Sequence, residues 1–310
     1  MRKLSSPGGL VRLAAVAVLA LLLIGRAQSS DASPTAGIEV TTMTYCVVDG
    51  SRLPMTVFEL ADARRPAPAV LQVHGGAWEH GHRLWSLSQS DLVDVGSLGA
   101  RGLVEHGFVV ASISYLLAPR FHWPDQIQDV ACAMRSLRAH AVALGIDPAR
   151  IGALGSSAGG QLVSLLATEP NAPAWSTGRA AGLGARPDAL VDEYGPVDLA
   201  AGDFGHFMRH AISEVFGTAP NASSPLLAQA SPVDHVAAGD PPTLILQGTA
   251  DRVVPEAQSE LFAARLRAVH VPVTLVRVRG GAHGLRTPGE VPAPATLAAD
   301  VVSFFVRYLG

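Results

Sequence analysis

The chain has 310 residues, of which 48% are hydrophobic and 16% charged, with a formal net charge of −3. The apolar content supplies the core of one α/β domain once an N-terminal extension is set aside. The acidic balance argues against nucleic acid as a partner.

The chain starts Met1-Arg2-Lys3, carries an apolar run from Leu13 to Ile24 and then reads Gly25-Arg26-Ala27. A basic start, a short apolar stretch and small residues at −3 and −1 predict a secretory signal over residues 1–27, cleaved after Ala27. The run is short against the ~20 residues of a membrane span. No span is therefore expected in the mature form, and an uncleaved anchor is the alternative. The absence of Cys near Ala27 argues against a lipoprotein anchor. Residues 28–37, rich in Ser, Ala and Pro, read as a flexible leader, and residues 38–310 as the folded domain. Loss of residues 1–27 leaves 19 basic against 26 acidic groups, a net charge of −7.

The predicted order is strands at 55–60, 69–74 and 109–115, helix 124–140, strand 150–155, helix 158–167, strands 188–194 and 243–248, helix 256–269, strand 273–278 and helix 292–308. Strands alternating with helices predict a mostly parallel central sheet with helices on both faces. The short Leu60–Pro68 connection predicts an antiparallel start between the first two strands. Residues 79–100 lack periodicity; His80 and His82 there have no third ligand at metal spacing, so a solvated loop is expected and no metal. Residues 197–240 read as a small cap insertion, in which Phe204, Phe207, Met208 and Phe216 either wall a substrate pocket or pack the cap. Cys46 and Cys132 could bridge in an oxidising compartment; the simpler reading makes Cys132 a buried helix residue.

Four loops carry chemistry. The strand at 69–74 runs into His74-Gly75-Gly76-Ala77-Trp78, whose glycines let backbone N–H groups approach a ligand closely. The expected oxyanion donors are the N–H groups of Gly76 and Ala77, or of Gly75 and Gly76, together with that of Ala158. His74 is expected to order this loop, and Trp78 to pack beside the pocket. The strand at 150–155 leads into Gly155-Ser156-Ser157-Ala158-Gly159 and then a helix, the setting in which G-x-S-x-G exposes a nucleophile on a tight turn. Only Ser157 has glycine at both −2 and +2. A serine hydroxyl needs a base, and the base an orienting carboxylate. Asp251 follows the strand at 243–248 and His283 follows that at 273–278, giving the chain order Ser, Asp, His. Tyr194 ends the strand at 188–194 as a further pocket candidate.

HGGAW, GSSAGG, GTADRVVP and GGAHG together resemble the α/β-hydrolase superfamily, in particular its esterase/lipase branch with an H-G-G-x-W oxyanion loop. That branch includes hormone-sensitive-lipase-like carboxylesterases, kynurenine formamidases and bifunctional feruloyl/acetyl-xylan esterases. The likeness runs from about Val40 to the C-terminus. Tyr115-Leu116-Leu117-Ala118-Pro119 is similar to the branch's Y-R-L-A-P, with Leu116 in place of Arg. The resemblance implies an α/β-hydrolase fold and a serine hydrolase of small or polymeric esters, without cofactor, and the N-terminal signal pattern implies that it is secreted or periplasmic. A formamidase or peptidase using the same triad is the alternative, and a non-catalytic binding member of the fold is a third reading. The acyl and alcohol groups and the oligomeric state are not legible in the sequence.

Overall fold

The computed structural model describes residues 37–84, 98–175 and 182–310. The expected signal, its cleavage point and nearly all of the leader lie outside these residues, as does part of the 79–100 loop.

Eight strands form one sheet: β1 (Ile38–Val48), β2 (Ser51–Leu60), β3 (Ala67–Val73), β4 (Val109–Ile113), β5 (Ile146–Ser156), β6 (Leu190–Glu193), β7 (Thr243–Gly248) and β8 (Val273–Val278). Their order is β1-β2-β4-β3-β5-β6-β7-β8, with β1–β2 and β2–β4 antiparallel and the other pairs parallel. The antiparallel start therefore arises differently from the expectation. β2 and β3 are not neighbours, because β4 lies between them. The hairpin is β1–β2, and its two-residue turn Asp49-Gly50 has positive φ at both positions (46° and 79°). That turn matches the right-handed strand twist and is favoured by Asp-Gly.

Side chains alternate across the sheet with period 2. On β3, Ala69, Leu71 and Val73 enter one core while Val70 enters the other. The first core takes in α2 (Asp125–Ala139), α4 (Ala158–Thr168) and α7 (Glu256–Ala268). The second is closed by α1 (Ala100–Glu105) and α8 (Pro294–Leu309). α3 (Ala141–Leu144) is a single turn ending in left-handed Gly145. The insertion between β6 and β7 contains α5 (His206–Phe216) and α6 (Pro225–Ala230). There Phe204, Met208 and Phe216 pack into the first core, whereas Phe207 is 57% exposed.

Cys46 on β1 and Cys132 on α2 form a disulfide across a Cα separation of 6.2 Å. Cys132 is buried on its helix as expected, and the bridge ties the edge strand to α2 as well. Among the described residues no helix is long and apolar enough to cross a membrane.

Candidate active site

In a sheet of parallel strands, the loops leaving adjacent carboxyl ends converge. β3 and β5 are neighbours, so the loop after β3 meets the turn after β5. Ser157 occupies that turn with φ 52° and ψ −120°, between the end of β5 and the first residue of α4. A non-glycine residue there is strained, and its surroundings hold it in place. Its N–H donates to the Glu193 carbonyl (2.8 Å), and its carbonyl accepts from the Gln161 N–H (3.0 Å). The flanking glycines are required by space. A Cβ on Gly155 would stand 2.3 Å from the Gly159 carbonyl oxygen, and one on Gly159 would stand 2.2 Å from that of Val73.

The structure brings Ser157, His283 and Asp251 together. His283 Nε2 lies 2.9 Å from Ser157 Oγ, and His283 Nδ1 lies 2.7 Å from Asp251 Oδ2. A carboxylate only accepts, so Nδ1 carries the hydrogen and Nε2 offers its lone pair to the serine hydroxyl. The Asp251 side chain is fully buried, while that of His283 is 23% exposed. Asp251 Oδ1 accepts from the N–H groups of Val253 (2.8 Å) and Val254 (3.0 Å), and Oδ2 accepts from Gln247 Nε2 (3.3 Å). Gln247 is itself fixed, since its Oε1 accepts from the Ser259 hydroxyl at 2.8 Å.

The loop after β3 takes three successive positive φ angles, at Gly76 (108°), Ala77 (54°) and Trp78 (60°). The Gly76 carbonyl accepts from the N–H groups of Glu79 and His80. No acceptor among the described residues takes the N–H of Gly76, Ala77 or Ala158. Gly75 leaves no room for a side chain, because a Cβ would lie 2.9 Å from the Ser156 carbonyl oxygen and 3.2 Å from Ser157 Cβ. His74 Nδ1 donates to the Gly75 carbonyl (2.7 Å), and the ring stacks on Tyr115 at 4.3 Å. Burial lowers its pKa to about 4, so the ring is neutral near pH 7.

The two expected pocket residues, Trp78 and Tyr194, are both buried. Trp78 is fully buried; its indole N–H donates to Gln161 Oε1 (3.0 Å) and its ring meets Phe216 edge-on at 5.9 Å. A ring so enclosed packs behind the loop after β3. Tyr194, also buried, packs edge-on against His283 with ring centroids 4.7 Å apart. Gln161 and Gln247 are site residues that sequence reasoning missed. Gln247 ends the strand before Asp251, but no motif marks an amide whose partners are set only by the fold. At the departure from Y-R-L-A-P, Leu116 offers its backbone N–H to buried Asp129 (2.8 Å).

The sheet order and the strained turn after β5 are those of the α/β-hydrolase fold. The chain belongs to the BD-FAE family, whose model matches residues 55–266. It is 32% identical to esterase LipC of Mycobacterium tuberculosis over 71% of this chain and 53% of that protein. It is 36% identical to esterase LipQ of the same organism over 67% of this chain and 48% of that protein. Among solved structures it resembles a truncated carbohydrate esterase from gut microbiota, with a TM-score of 0.71 and 26% identity, covering 86% of this chain and 96% of the other. The chain spans about half the length of the curated relatives it matches.

Proposed function

We propose that this chain is a secreted serine hydrolase that cleaves carboxylic esters through an acyl-enzyme. The observation that carries the reading is the continuous hydrogen-bond chain from Asp251 through His283 to Ser157 Oγ. Ser157 Oγ attacks the ester carbonyl as His283 Nε2 takes its proton. The negative charge that develops on the carbonyl oxygen is met by the N–H of Ala158 and those of the Gly75-Gly76-Ala77 loop. Each such donor is worth about 2.7–4 kcal/mol to the transition state. His283 then protonates the departing alcohol, and Asp251 holds the imidazole in the useful tautomer and steadies its cation. Water repeats the cycle on the acylated serine, with His283 again as base. No step calls for a metal or cofactor.

The esterase names of LipC and LipQ support ester hydrolysis, and the carbohydrate-esterase neighbour supports a sugar-borne ester among the substrates. The basic and apolar start of the chain supports export, as does the Cys46–Cys132 disulfide, since such bridges persist in oxidising compartments. Residues 197–240 serve as the cap. The test is a panel of p-nitrophenyl acetate, butyrate and octanoate beside acetyl-xylan and methyl ferulate. Turnover of one or more of these, lost in Ser157→Ala, is expected; a purified, folded protein that turns over none contradicts the reading.

A further inference from the structure

Gln161 stands one helical turn after the nucleophile and is fully buried. It joins three parts of the site. Its backbone N–H donates to the Ser157 carbonyl at 3.0 Å. Its side-chain Oε1 accepts from the Trp78 indole at 3.0 Å, and its Nε2 donates to the Ala230 carbonyl at 2.8 Å. The amide has one consistent orientation, because an indole nitrogen only donates and a carbonyl only accepts. Ala230 closes α6 of the insertion, and Phe216, against which the Trp78 ring packs, closes α5.

The loop that Trp78 anchors needs such a hold. Ala77 and Trp78 are both non-glycine residues at positive φ, and strained backbone of this kind persists only where its surroundings over-determine it. The Trp78 carbonyl is fixed by the Ala118 N–H at 3.0 Å, and the indole by Gln161. We propose that Gln161 is a positioning residue that sets the oxyanion-loop geometry through Trp78 and couples it to the insertion between β6 and β7. It touches no reacting atom. It holds the Gly76 and Ala77 donors in register with the Ala158 N–H, so the state of the insertion bears on transition-state stabilisation.

The proposal rests on the esterase reading above, and its test separates the two. Gln161→Leu, Trp78→Phe and the double variant are compared by steady-state kinetics on p-nitrophenyl acetate, with Tm and circular dichroism confirming the fold. Misplacing an oxyanion donor is expected to lower kcat by roughly 10- to 100-fold in each single variant, with KM changed far less. The double variant should be no slower than the slower single one, because both changes break the same link. An active wild type with an unaffected Gln161→Leu variant, or multiplying losses in the double variant, overturns the proposal and leaves the esterase reading intact. A second measurement needs no turnover. The Trp78 indole N–H should exchange slowly with solvent in the wild type and measurably faster in Gln161→Leu. Equal exchange in the two overturns the link even where Gln161→Leu loses activity.

Discussion

At the residue scale, the site depends on where protons rest. Asp251 receives two backbone N–H groups on one oxygen and shares the other between His283 and Gln247. Asp251→Asn replaces a pure acceptor by a group that can also donate, which favours the wrong imidazole tautomer. It should cost on the order of 10⁴-fold in kcat with the fold kept. Gln247→Leu removes the amide and leaves the Ser259 hydroxyl without its acceptor. A smaller loss is expected, roughly 10-fold in kcat/KM, because a donor at 3.3 Å orients Asp251 beside two shorter backbone bonds. Steady-state kinetics of both variants check the ranking; a Gln247→Leu loss as large as that of Asp251→Asn would contradict it.

At the element scale, the covalent link from β1 to α2 is the clearest lever. Among the described residues β1 lies at the edge of the sheet and pairs only with β2. The Cys46–Cys132 bridge spans 86 residues of sequence, and native bridges of this kind contribute about 2–5 kcal/mol. The double Cys46→Ser, Cys132→Ala variant should unfold at lower temperature while kcat/KM stays near wild type, because neither cysteine touches a residue of the site. Calorimetry beside kinetics tests this; an unchanged Tm would show that the bridge adds nothing to stability.

The elements also show what the sequence made legible. Ser157, Asp251 and His283 could be singled out because each follows a strand in a turn with a distinctive neighbourhood, although β7 is buried throughout and β8 only at Val278. β1 was not read, because Ile38–Val48 has no clean apolar alternation and only one of its eleven residues is buried. Its signal lay in the Asp49-Gly50 turn instead. α1, α5 and α6 were missed because they are short or sit inside segments whose order comes from packing. The placement of β4 between β2 and β3 is a tertiary choice that connection length does not encode. The Gln161 side-chain contacts join residues 83 and 69 positions apart, and those of Gln247, to Asp251 and Ser259 nearby in sequence, belong to no motif.

At the scale of the whole molecule, buried ionisable groups tie stability to pH. Burial pushes Asp192 up to about 7, against the one N–H it accepts from Gly195 at 2.9 Å, and pushes Asp129 likewise to about 7. An unfolded aspartate titrates near ~3.9. Between these values the folded chain keeps a proton that the unfolded chain has released, so each group lowers stability as pH rises from about 4 to about 7. His74 works in the opposite sense. Its folded value of about 4 lies below the ordinary ~6.5, so it favours folding as pH rises through that window. A difference measurement cancels His74. The Tm of Asp192→Asn relative to wild type should rise between pH 4 and pH 8 and level off above. A difference that stays flat or falls would mean that Asp192 is ionised in the folded protein at low pH.

The proposed reaction has one hydroxyl of this chain, that of Ser157, attack the ester carbonyl, and covalent labelling reads out which hydroxyl reacts. The protein is treated with a fluorophosphonate, digested and mapped by mass spectrometry, and the same is done for Ser157→Ala and Ser156→Ala. One adduct per chain is expected on Ser157, with full labelling and near-normal ester turnover in Ser156→Ala and neither in Ser157→Ala. An adduct on Ser156 or elsewhere, or a Ser157→Ala variant that still hydrolyses esters, would contradict it.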